Sequence, residues 1–143
     1  MKDIASEIHN KHKINIVFDE AADVRMRDRI TEEFINWQPL YDLFVMAEEV
    51  VVIIEIAGID TKDFYIYVDR LSMMIDGVRR SPDILNREYC IFHNLEISYG
   101  RFNRRIDFPV PIEPKRHQCT IENGILTLKF PAVKEKVIPI EDD

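Results

Sequence analysis

Much is missing from this 143-residue sequence, and each absence narrows what the chain can be. It has only two cysteines, Cys90 and Cys119, far apart along the chain. They form no disulfide framework and no C-x-x-C pair, and no basic cluster surrounds either, which fits buried thiols in a reducing cytosol. Positive charge is in deficit, with 19 Lys and Arg against 26 Asp and Glu, a net charge of −7. Nucleic acid requires a clustered cationic surface and an anionic membrane repels such a chain, so neither partner is expected. The start, Met-Lys-Asp-Ile-Ala-Ser-Glu-Ile-His, lacks the apolar run of a signal peptide, and no later stretch is long and apolar enough to span a bilayer. A cytoplasmic protein is expected. Glycine-rich phosphate loops, the nucleophile elbow and the H-E-x-x-H helix are all lacking, so no enzyme, nucleotide or cofactor is expected. His9 and His12 share helical spacing but have no third ligand, which argues against a metal site. Glu48-Glu49 and Asp142-Asp143 are adjacent, solvated charges rather than a catalytic dyad.

What is present divides into three parts. With 46% hydrophobic residues, one domain with a sizeable core and short flanking arms is expected. Residues 1–36 form an arm of mixed character. Ile4 and Ile8 lie four apart, as do Ala22, Met26, Ile30 and Phe34, so the spacing predicts short amphipathic helices. A short apolar patch, Ile14, Ile16, Val17 and Phe18, separates them. Residues 37–131 follow a β grammar of short β-branched and aromatic runs punctuated by glycine and proline. Strands are predicted at 50–56, 64–68, 71–75, 89–92, 101–108, 118–122 and 125–130, with a turn at Asp76-Gly77 and a hairpin at Asn123-Gly124. Many short strands imply an all-β fold, an immunoglobulin-like antiparallel β-sandwich. Residues 132–143 form a charged, extended tail whose apolar cluster is Val137, Ile138 and Ile140 around Pro139.

Four landmarks within this grammar, in order, resemble the small heat-shock protein (α-crystallin) family. Trp37-Gln38-Pro39-Leu40-Tyr41-Asp42-Leu43 is similar to its W-x-P-x-x-D-hydrophobic opening. Glu55-Ile56-Ala57-Gly58-Ile59 followed by Asp63 is similar to a strand ending in P-G-V, with alanine in place of the proline. Glu96, Gly100, Phe102, Arg104 and Phe108-Pro109 form the third, and Cys119 through Leu128, containing Asn123-Gly124, the fourth. Ile138-Pro139-Ile140 is similar to the tail motif I-x-I. Cys119 replaces a usual alanine, and His117 replaces a usual apolar residue.

The resemblance implies an ATP-independent holdase that works as a dimer-based oligomer and binds unfolding client proteins. It implies that the tail of a neighbouring subunit docks in a groove between the strand at 63–69 and the strand at 117–122. Phe64, Ile66, Val68 and Ile121 have the parity to line that groove, with His117 and Cys119 on the same second strand. The long segment 80–99 would cross to a partner, as in the bacterial and plant branch, and add Tyr89, Cys90, Ile91 and Phe92 there as a strand. Glu96, Gly100 and Arg104 would lie around that interface, with a carboxylate such as Glu96 paired to Arg104. Clients would meet the apolar residues of the arm: Ile4, Ile8, Ile14, Val17, Phe18, Val24, Met26, Ile30 and Phe34, packed at rest and exposed on activation. A CS-domain co-chaperone or another intracellular β-sandwich binding module remains an alternative from the residues alone.

Overall fold

The computed structural model describes residues 3–9, 12–18, 35–86 and 89–133. Two sheets face each other. Strands β1 (Asp3–His9), β2 (His12–Phe18), β5 (Phe64–Val68), β6 (Ser72–Arg79) and β7 (Gly100–Asp107) form the first, in the order β1-β2-β5-β6-β7. Strands β3 (Tyr41–Val45), β4 (Glu49–Glu55), β9 (Ile125–Pro131) and β8 (Gln118–Glu122) form the second, in the order β3-β4-β9-β8. All pairings are antiparallel except β2 with β5, which is parallel.

Alternation decides which side chains enter the core. Phe64, Ile66 and Val68 of β5 point inward, and Tyr65 and Tyr67 point out. Leu126, Leu128 and Phe130 of β9 face them from the other sheet, with Val50, Val52 and Ile54 of β4. The β8–β9 hairpin closes through Asn123 at φ 52° and Gly124 at φ 77°, the left-handed pair that a tight two-residue turn needs.

Several elements depart from the sequence reading. Ile4 and Ile8, expected on a helix, lie in strand β1, hydrogen-bonded to β2. A one-turn apolar spacing is too weak to hold a lone helix, and an edge strand satisfies the same backbone with a partner. The segment expected as a helix over 22–34 lies outside the described residues. Asp76-Gly77, expected as a turn, sits inside β6, where Gly77 pairs with Phe64 on one side and Phe102 on the other. A β-carbon at Gly77 would come within 2.6 Å of the Phe64 β-carbon and 2.7 Å of the Phe102 ring, so this glycine makes room for two phenylalanines. The strand expected at 89–92 does not form within the chain.

Candidate functional site

The sandwich has two open sides. On one, β8 is the edge of its sheet and touches β1, the edge of the other. The residues read from sequence as a groove, Phe64, Ile66 and Val68 of β5 and Cys119 of β8, are all buried in one core cluster, with Ile121 packed partly against it. His117, at the head of β8, is nine-tenths buried and donates from Nδ1 to the Pro114 carbonyl at 2.9 Å. Its ring lies 6.5 Å from that of Phe130.

This groove is not empty, and β5 is not an edge. Strand β2 runs parallel along β5 with Ile16 beside Ile66, Val17 beside Tyr67 and Phe18 beside Val68. Ile14 and Ile16 are 0% exposed and belong, with Phe18, to the core cluster. The Phe18 ring stands 5.1 Å from His117, so β2 reaches from one sheet to the other and closes the side. Val17 has the opposite parity and is buried on the outer face of the sheet, where β5 and β6 carry Tyr67 and Met74 beside it. Ile14, Val17 and Phe18, assigned from sequence to a client surface, are thus packed in this chain. Ile16 was not among those residues. The period-two spacing of Ile14, Ile16 and Phe18 was the signal that a strand, rather than a loose patch, carries them.

The opposite side lies between β3 and β7. There Trp37 packs on Phe102 with ring centroids 5.0 Å apart and donates from Nε1 to the Gly100 carbonyl at 3.0 Å. Gly100 adopts φ 101°, and a β-carbon on it would strike the Asn36 side chain at 2.6 Å. Arg79 lies 4.1 Å over the Trp37 ring and donates to the carbonyls of Ala57 and Ser98, each at 3.0 Å. Both ends of the 80–99 segment are therefore held on one cation–aromatic stack. Between those ends the segment is open to solvent: Tyr89 is 93% and Ile91 80% exposed, and Phe92, Leu95 and Ile97 are exposed too, with Cys90 half-buried. Among the described residues strand β3 has no partner on its outer edge, and at it lies a second exposed apolar set, Leu40, Phe44, Val45 and Met46. These were not singled out from sequence, because the segment reads as the opening motif and not as a strand.

Glu96 and Arg104, expected as a pair, are not brought together. Arg104 lies 4.6 Å over the Tyr41 ring, and Glu96 accepts from Asn94 Nδ2 at 3.1 Å. A guanidinium on a β7 side chain that faces β3 meets an aromatic face before it can reach the loop. Ile138, Pro139, Ile140, Val24, Met26, Ile30 and Phe34 lie outside the described residues. Among the described residues no helix is long and apolar enough to cross a membrane.

Two sheets with one filled groove and one exposed loop-and-edge surface define an α-crystallin-type sandwich. Residues 42–141 match the Hsp20/alpha crystallin family, and the chain belongs to that family. Its members are ATP-independent chaperones and not enzymes. Small heat shock protein C2 of Rickettsia felis is 33% identical over 79 residues, which are 54% of this chain and 49% of that protein. The chain therefore matches about half the length of this curated relative. Among solved structures, heat shock protein 16.0 of Schizosaccharomyces pombe has a TM-score of 0.61 and 25% identity, covering 73% of this chain and 99% of that one. A small heat-shock protein of Xylella fastidiosa has a TM-score of 0.59 and 23% identity over 75% and 99% of the two chains, a likeness of fold.

Proposed function

We propose that this protein is a cytoplasmic holdase that captures unfolding proteins without ATP and works as a dimer-based oligomer. The observation that carries this reading is the apolar surface of the 80–99 segment together with the free edge of β3. A single chain leaves Tyr89, Ile91, Phe92, Leu95 and Ile97 in water, and also Leu40, Phe44, Val45 and Met46. Exposed apolar side chains grouped in this way mark interaction surfaces. An extended apolar segment and an unpaired strand edge are complementary, because one supplies the backbone groups that the other lacks. Residues 89–92 therefore add to β3 of a second copy, and two copies exchange segments about a twofold axis.

Residues 1–36 supply the client surface, and the tail motif Ile138-Pro139-Ile140 docks in a neighbour's groove at Phe64, Ile66, Val68, His117, Cys119 and Ile121. Two buried isoleucines yield about 3–6 kcal/mol before ordering costs, so one tail binds weakly and many hold an oligomer by avidity. The test is light scattering from a heated, aggregation-prone enzyme with this protein and no ATP. Suppression near one subunit per client is the expected result. A folded chain that suppresses nothing, or that stays monomeric, overturns the reading in favour of a co-chaperone.

A further inference from the structure

The chain contains two segments with the same spacing of isoleucines and acidic residues after them. Ile14-Asn15-Ile16-Val17-Phe18 is followed by Asp19 and Glu20, and Ile138-Pro139-Ile140 by Glu141, Asp142 and Asp143. The first segment lies along β5, with Ile14 and Ile16 fully buried and the Phe18 ring against His117 at the head of β8. We propose that β2 is an intramolecular occupant of the tail-docking groove, and that the tail of a second copy enters only when β2 has left. This rests on the tail-docking reading above and adds a rule for when docking happens.

The geometry supports one occupant at a time. β2 uses the free backbone edge of β5, which pairs on its other side with β6. A second strand has no backbone left to bond there. Ile16 and Phe18 stand beside Ile66 and Val68, the positions that two tail knobs two residues apart would take. Phe18 fills the space before His117, the residue that opens β8.

The mass-action consequence follows from the tether. A segment of the same chain is present at an effective concentration of order millimolar, whereas tails of other copies are at the protein concentration. β2 therefore holds the groove in dilute, resting protein, and tails compete as copies accumulate. Each exchange releases Ile14, Ile16 and Phe18 into solvent. Assembly through the tail and uncovering of the arm become one event.

The test uses the full chain and a fluorescent peptide of residues 134–143. Ile14→Ser with Ile16→Ser weakens the plug and leaves Phe64, Ile66, Val68 and Ile121 intact. If the groove is open in a tenth of molecules or fewer, the peptide should bind this variant about tenfold or more tighter than the parent. Val17→Cys with Tyr67→Cys, in a Cys90→Ser background, joins two register-paired residues on the outer face and locks β2 in place. Its oxidised form should lose the peptide and its reduced form regain it. Equal peptide affinity for the parent and the serine variant, or for oxidised and reduced chains, overturns the competition and leaves tail docking standing. A peptide that binds none of the four overturns tail docking as well.

Discussion

Replacing Ile16 by alanine removes three carbons from a side chain that is fully buried beside Ile66. Truncating a buried isoleucine to alanine costs about 2–5 kcal/mol, more where the surroundings cannot collapse. Where that cost is felt depends on the position of β2. Among the described residues the strand pairs with β5 and with the edge strand β1 alone, so it can come away while both sheets keep their other ladders. The loss should therefore show as local opening rather than global unfolding. At about 1.4 kcal/mol per tenfold, the lower bound is close to thirtyfold in the opening equilibrium. Native-state hydrogen exchange should show the amides of β2, and those of β5 that bond to it, exchanging at least about thirtyfold faster. Amides of β9, central in the other sheet, should change by less than about twofold. Equal acceleration in β5 and β9 would mean that β2 is welded to the global unit. No acceleration anywhere would mean that Ile16 makes no buried contact.

Three further outcomes are expected. Gly77→Ala should cost about 1–3 kcal/mol by overpacking against Phe64 and Phe102, read as a lower denaturant midpoint; a midpoint within error of the parent would show that the strand has room. Arg80 forks both oxygens of Asp63 at 2.9 Å, and this hydrogen bond holds the Asp63 carboxyl below its ordinary 3.8. A lowered folded value means that the contribution is complete above the unfolded value and is lost as pH falls through the folded one. The stability gap between the parent and Asp63→Asn should thus narrow from neutral pH to about pH 3, and a gap that stays constant would exclude the pair as its source. Tyr89→Ser, Ile91→Ser and Phe92→Ser together should lower the solution mass measured by light scattering and leave the thermal transition of the sandwich nearly unmoved, since all three are exposed in the single chain; an unchanged mass would place the dimer contact elsewhere.

The strands at 64–68 and 118–122 were legible to the residue, and that at 125–131 to within one, because half-buried alternation and a left-handed Asn-Gly turn are local signals. Strand β3 was hidden because only two of its five residues, Tyr41 and Leu43, turn toward the core and neither is fully buried, too short and weak an alternation to stand out. Gly77 misled because Asp-Gly favours a turn unless neighbouring strands need the space, and here the Asp63 carbonyl, the Phe64 β-carbon and the Phe102 ring, 14, 13 and 25 residues away, press on it. The inward faces of β5 and β8 could be read from parity, but the strand that pairs with β5 could not, because β2 and β5 pair across 45 intervening residues and parallel pairing leaves no turn signal between them.

The sequence by itself determined the class of fold, the two faces of each core strand, the hairpin at Asn123-Gly124 and the family. Those rest on period-two burial, on turn chemistry and on motifs that are complete within a few residues. Only the tertiary structure decided that residues 14–18 enter the sandwich, that β5 has no free edge, and that Arg104 meets Tyr41 instead of Glu96. Each of those is a choice between distant partners for the same backbone edge or the same charge, and such choices are made by which surfaces the folded sheets bring within reach.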